Sequence, residues 1–147
     1  MSSYTKDYDR IVQAIVTAAM IFPPFAEGDI PSCKFYTENA AWDTGAEITI
    51  ISPKVAKALS LSSIGKANVM GIGGDDTADV YKITLALPET KLYRDFFVYC
   101  ADMDYELLIG MDIISQLDFC ITNANNKTTL TFRHPPRERI DFTKNND

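Results

Sequence analysis

The sequence predicts an all-β fold with one or two short helices. Short runs rich in β-branched and aromatic residues recur along the chain, and most are bounded by Gly, Pro or Asn clusters. Helical spacing of apolar residues appears in only two brief stretches. At 147 residues the chain fits one domain, 1–147, large enough to bury a core.

In Ile11–Met20, Val12, Ala14, Val16 and Ala18 alternate with Gln13 and Thr17, a period of two that predicts a strand. Ile11/Ile15 and Val12/Val16 also fit a helix. Pro23-Pro24 and Gly28-Asp29 then supply a loop to a second strand, Cys33–Trp42, so an N-terminal hairpin is expected over 10–42. After the apolar run Ile48–Ile51, Ser52 is a cap and Pro53 a first-turn residue for a helix over Pro53–Leu59, with Val55, Ala56 and Leu59 at helical spacing.

Strands Ala67–Met70 and Val80–Leu87 flank the glycine-rich Gly71-Ile72-Gly73-Gly74, a hairpin over about 69–80. Leu92–Cys100 is a further strand. Leu107–Ile109 is a short buried run ended by Gly110, and Met111, Ile114 and Leu117 then recur at helical spacing. Phe119–Thr122 and Thr128–Phe132 predict a last hairpin over 119–132, ahead of a polar tail, 133–147.

Fourteen Lys and Arg against twenty Asp and Glu leave a formal charge of −6, which repels a nucleic-acid backbone. Cys33, Cys100 and Cys120 are odd in number and form no CxxC or Cys/His spacing, so reduced thiols in the cytoplasm are expected. The apolar stretch Ile11–Phe25 is interrupted, too short for a bilayer and without a basic leader, so no membrane span or signal peptide is expected. Asp75-Asp76 lacks a metal-loop signature, and His134 stands beside Pro135-Pro136 without a recognisable nucleophile; no metal and no cofactor are expected.

The residues that carry chemistry begin at Ala41-Trp42-Asp43-Thr44-Gly45-Ala46, where a small-residue turn lifts one carboxylate off the end of a strand. Strand alternation sends Trp42 the other way, into the core. An Asp-Thr-Gly triplet by itself also reads as an ordinary Asx-type turn. Its place in an order of three features makes it informative: the strand ending in Asp43-Thr44-Gly45-Ala46, the Gly-Ile-Gly-Gly hairpin tip from Gly71, and Leu108-Ile109-Gly110 ahead of a helix.

Together these resemble the retropepsins, the retroviral-type aspartic proteases, over roughly Phe35 to Phe132, in a form closer to cellular and bacterial members. The resemblance implies a closed acid-protease barrel, a homodimer and an extended peptide or protein substrate. Peptide hydrolysis without a covalent intermediate needs one group to take a proton from water and another to give one to the scissile carbonyl. Two adjacent carboxylates sharing one proton do both. The chain has one Asp-Thr-Gly, so the second carboxylate is expected from a second copy.

On the same resemblance Asp43 is catalytic, in a loop over 43–46, and Thr44 bonds across the twofold axis. Gly45, Ala46 and Glu47 meet the main chain of the substrate. Gly71, Ile72, Gly73 and Gly74 form a flap, and Leu108, Ile109 and Gly110 pack beneath the catalytic loop. The chain departs from the viral pattern at Met111-Asp112, where viral enzymes usually carry Arg after the glycine, and in continuing well past the helix. A dimeric peptide-binding module of the same fold is the alternative reading. Met1 and the N-terminal hairpin argue against a domain excised from a polyprotein.

Overall fold

The computed structural model describes residues 1–71 and 74–144. Strands β2 (Val16–Phe22), β3 (Phe35–Trp42), β4 (Ile50–Ile51), β6 (Gly74–Ala86), β7 (Leu92–Cys100) and β8 (Leu107–Ile109) form a ring in the order β2-β3-β8-β4-β7-β6, closed by pairing of β2 with β6. Closure leaves none of the six as an open edge. Strand β5 (Gly65–Gly71) lies outside the ring and, among the described residues, pairs with β6 alone. The other elements are helix α1 (Pro53–Ala58), helix α2 (Met111–Ile114), and a second sheet of β1 (Ser2–Asp7), β10 (Thr129–His134) and β9 (Asp118–Thr122).

Inward-facing side chains fill the ring. Ile21, Ile51, Ile83, Leu85, Val98, Leu107 and Ile109 have no exposed surface, and Thr17, Ala19 and Ile21 alternate inward along β2. The connection that matters for the site runs from β3 to β4. These strands flank β8, parallel to β3 and antiparallel to β4, so residues 43–49 must cross the end of β8.

The second sheet seals the bottom of the barrel around Trp42. That indole packs, tilted, with ring centroids 5.3 Å from Phe119 and 5.0 Å from Phe132, and Tyr4 packs on Phe132 at 5.3 Å. Trp42 thus points into the core, away from the carboxylate that follows it.

Sequence and structure part company at the N-terminus. The strand expected over Ile11–Met20 begins only at Val16 and runs on to Phe22, where Pro23 has no N–H to continue the ladder. Residues 11–15 stitch the two sheets together instead: Val12 N–H donates to Thr128 Oγ1 at 3.1 Å, and Ile15 carbonyl accepts from Trp42 N–H at 2.9 Å. The Tyr8 hydroxyl donates to Val16 carbonyl at 2.6 Å. Strand β1 was not foreseen, because Ser2–Asp7 is mostly polar and its partner β10 lies at the other end of the chain.

The hairpin strands expected over Ala67–Met70 and Val80–Leu87 are longer, reaching Gly71 and starting at Gly74. Helix α1 is capped as its sequence implies, with Ser52 Oγ accepting from Val55 N–H at 3.4 Å. His134, expected on the surface, is half-buried with its ring edge-on to Tyr93. The tail is tied back by Asp118, whose Oδ2 accepts from the Arg133 guanidinium and from Arg137 N–H, both contacts within 2.8 Å.

Candidate active site

Strand β3 delivers Asp43 to the end of the barrel because Trp42 anchors the residue before it. The buried indole N–H donates to Thr17 Oγ1 at 3.0 Å. Asp43 N–H then donates to Ile109 carbonyl at 2.9 Å, which ties the loop to β8. Asp43 carbonyl accepts from Ala46 N–H at 3.2 Å, and Asp43 Oδ1 accepts from Gly45 N–H at 2.8 Å. One carboxylate oxygen is therefore fixed by the turn, while Oδ2 accepts nothing from the described residues.

Asp43 is half-buried, and Thr44, Gly45 and Glu47 are exposed around it. A Cβ on Gly45 would sit 3.1 Å from Asp43 Oδ1, tight against the oxygen that the turn holds. Glycine here keeps the carboxylate uncrowded.

Beneath the loop, helix α2 presents N–H groups that have no partner within the helix. Met111 N–H donates to Ala46 carbonyl at 2.7 Å and Asp112 N–H to Glu47 carbonyl at 3.1 Å. This approach needs Gly110: a Cβ there would lie 2.8 Å from Ala46 carbonyl oxygen and 2.9 Å from the Ile48 carbonyl carbon. Both are backbone atoms that cannot swing aside. Ile109 is fully buried and Leu108 half-buried, so Leu108, Ile109 and Gly110 lie under the loop as a packed support.

A further clamp was invisible in the sequence. Asp112 Oδ2 accepts from Thr49 N–H at 2.9 Å, and Oδ1 accepts from the Thr49 hydroxyl at 2.7 Å and from Ile113 N–H at 3.0 Å. Gly110 N–H donates to Thr49 Oγ1 at 3.2 Å and closes the circuit. Thr49 is fully buried, so these bonds fix the end of the Asp43 loop in a place where water cannot substitute. The one available signal was an acidic residue in the first turn of a helix, which names no partner.

Alongside the loop lies a cavity of about 510 Å³. Gly45, Ala46, Glu47 and Ile48 line one part of it, and Asn68, Val69 and Met70 of β5 line another. The β5–β6 hairpin thus shares a cleft with the Asp43 loop. Gly71 and Gly74 are the last paired residues of its ladder; Ile72 and Gly73 lie outside the described residues. Among the described residues no cluster of His, Cys, Asp or Glu is placed to hold a metal ion, and no helix is long and apolar enough to cross a membrane.

A family model described as "Aspartyl protease" matches residues 36–113, the span from β3 into α2. Among solved structures, the chain is similar to a retropepsin-like aspartic protease from Rickettsia conorii, with a TM-score of 0.52 at 14% identity, covering 89% of this chain and 94% of that one. It is also similar to the EIAV protease in complex with the inhibitor HBY-793, with a TM-score of 0.49 at 18% identity, covering 74% of this chain and 90% of that one. No curated protein sequence matches.

Proposed function

Because the chain belongs to the aspartyl protease family and folds as a retropepsin-like barrel, we propose that it is an endopeptidase whose active form is a homodimer with Asp43 contributed by each subunit. The observation that carries this reading is the state of the Asp43 carboxylate. One oxygen is held by Gly45 N–H at 2.8 Å, the other accepts nothing from the described residues, and Gly45 to Ile48, which follow it, line a cleft.

Two such carboxylates brought together by a twofold axis cannot both ionise, so they hold one proton between them. The ionised member takes a proton from a water as that water attacks the scissile carbonyl carbon, and the protonated member gives its proton to the carbonyl oxygen. A tetrahedral gem-diol results. Its collapse breaks the C–N bond as a carboxyl proton passes to the leaving nitrogen and a diol proton returns to the pair. Thr44, exposed beside Asp43, is placed in this proposal to bond across the axis.

The extended substrate would lie between Gly45, Ala46 and Glu47 below and the β5–β6 hairpin above, with Gly71, Ile72, Gly73 and Gly74 as the flap over it. Main-chain bonding to an extended peptide suits both walls. Three unpaired cysteines accord with a reducing, cytoplasmic setting.

The test is product mapping by mass spectrometry on a mixed peptide library across pH, with sedimentation run in parallel. A bell-shaped rate is expected, falling in acid as both carboxylates protonate and in base as both ionise. Asp43→Asn should lower turnover by about 10²–10⁴-fold with the circular dichroism unchanged. A pure dimer of the Asp43→Asn variant that cleaves at the native rate, or a fully active monomer, removes the proposal; binding without cleavage by the native dimer favours a peptide-binding module.

A further inference from the structure

Strand β2 carries Thr17 into the barrel with Ala19 and Ile21, although in the sequence it alternates with the apolar Val16 and Ala18. Thr17 has no exposed surface. A hydroxyl buried among apolar side chains costs stability unless its hydrogen bonds are met. Here both of its capacities are used. The Thr17 hydroxyl donates to Ala18 carbonyl at 3.1 Å, at the irregularity where β2 and β3 shift register between Thr17 and Ala19. With its proton committed there, Oγ1 presents a lone pair to the Trp42 indole N–H, which donates to it at 3.0 Å.

The same short stretch holds Trp42 a second time, because Ile15 carbonyl accepts from Trp42 backbone N–H at 2.9 Å. Val16, between the two acceptors, is clamped from the second sheet. The Tyr8 hydroxyl donates to Val16 carbonyl at 2.6 Å and accepts from Val16 N–H at 3.2 Å, and Lys6 Nζ donates to the same carbonyl at 3.0 Å. Residues 15–17 are thus fixed from outside the barrel, and Trp42 takes its place from them.

The other contacts of the indole are the rings of Phe119 and Phe132, apolar surfaces over which it could slide. The bond to Thr17 is directional and sets its rotation. The next residue is Asp43, whose N–H donates to Ile109 carbonyl at 2.9 Å and whose Oδ1 accepts from Gly45 N–H at 2.8 Å. A turn of the Trp42 side chain therefore reaches the backbone that carries the carboxylate.

We propose that Thr17 is a positioning residue for Asp43, acting through the Trp42 indole; its consequence for turnover rests on the peptidase reading. Without the hydroxyl the indole N–H loses its acceptor inside the core and the ring rotates or shifts to find another. Asp43 moves with it, while the cleft walls that bind a peptide stay in place.

The test uses the full chain and compares Thr17→Val, which keeps the side-chain shape and removes the hydroxyl, with Thr17→Ser, which keeps the hydroxyl. Thr17→Val should lower kcat by about ten- to a hundredfold and leave KM within about twofold, whereas Thr17→Ser should stay within about threefold of native in both. In a Trp42→Phe background, which has no indole N–H, Thr17→Val should cost no more than about twofold, because both substitutions remove the same bond. Hydrogen exchange gives a readout apart from activity: the Asp43 amide should exchange about tenfold faster in Thr17→Val than in the native or Thr17→Ser chain, while the amides of β6 and β7 keep their native rates. Should Thr17→Val fail to fold, Thr17→Ala against Thr17→Ser isolates the same hydroxyl. Native kcat and native Asp43 exchange without the hydroxyl, a Thr17→Ser chain as impaired as Thr17→Val, a loss undiminished by Trp42→Phe, or exchange raised equally across the barrel would overturn the assignment. If the native chain cleaves no peptide the peptidase reading falls, and exchange at Asp43 decides by itself whether Thr17 positions that residue.

Discussion

The loop that carries Asp43 is tied at several points to other parts of the chain. Ile109 carbonyl holds Asp43 N–H, α2 holds the carbonyls of Ala46 and Glu47, and Asp112 holds Thr49. The hairpin on the other side of the cleft is held by its own ladder. Among the described residues strand β5 pairs only with β6, and it carries Met70 at 90% exposure. Under the proposed function, a carboxylate pair that shares a proton works only if its geometry is set beforehand, whereas an arm that admits a peptide must open. One sequence thus supplies a rigid floor and a loosely supported arm, and the two should respond differently to substitution.

Gly110→Ala should strike hardest at the floor. The added Cβ meets Ala46 carbonyl oxygen at 2.8 Å and the Ile48 backbone at 2.9 Å, so the loop or α2 has to move. Overpacking of this kind costs about 1–3 kcal/mol, and a displaced Asp43 loses activity beyond that stability loss. Chemical denaturation together with turnover measures both. A variant of native stability and native rate would show that the floor tolerates a shift.

Asp112→Ala is expected to act on the same floor with a smaller effect on rate. It strips the acceptor from Thr49 N–H, the Thr49 hydroxyl and Ile113 N–H, and leaves donors of a fully buried residue unpaired. The cost should be about 1–3 kcal/mol. Hydrogen exchange should localise the loosening to residues 46–50 and 110–114 and leave the β5–β6 amides unchanged. Equal loosening of floor and arm would erase the distinction between them.

How much of this was legible in the sequence follows from how far apart the partners lie. Asp43-Thr44-Gly45 could be read because the turn it forms is closed within four residues, by Gly45 N–H and Ala46 N–H on Asp43 itself. Trp42 could be assigned to the core from strand alternation alone. Gly110 could be singled out, but the reason for it, a backbone carbonyl 2.8 Å from an absent Cβ, exists only once α2 is packed on the loop. Asp112 looked like a departure from a pattern because Thr49 is 63 residues away. Strand β1 was lost for the same reason: the Thr5 and Thr131 hydroxyls that bond across β1 and β10 are 126 residues apart.

The smallest expected effect lies at the base of the arm, where Lys66 and Asp79 face each other across β5 and β6. Their ion pair measures 2.8 Å, and the Ser63 hydroxyl adds a bond to Asp79 at 3.2 Å. The hydrogen bond from Lys66 holds the Asp79 carboxyl below its ordinary range. A carboxyl depressed in the folded state stabilises above its unfolded pKa, and that contribution fades as pH falls through the lower folded value. The pair is exposed, so solvent weakens it and its effect on the whole fold should be slight. Locally it should still register, because few other contacts hold β5. Asp79→Asn should raise amide exchange in β5 and the facing part of β6 by about twofold at neutral pH, and salt at about 1 M should do the same to the native chain by screening. Toward acid, native and variant arms should converge, since a protonated Asp79 and the asparagine that replaces it are then alike in charge. Floor amides at Asp43, Ala46 and Met111 should be indifferent to the substitution and to the salt. If they shifted together with β5, the arm and the floor would be one cooperative unit, and opening of the cleft would have to disturb the carboxylate it exposes.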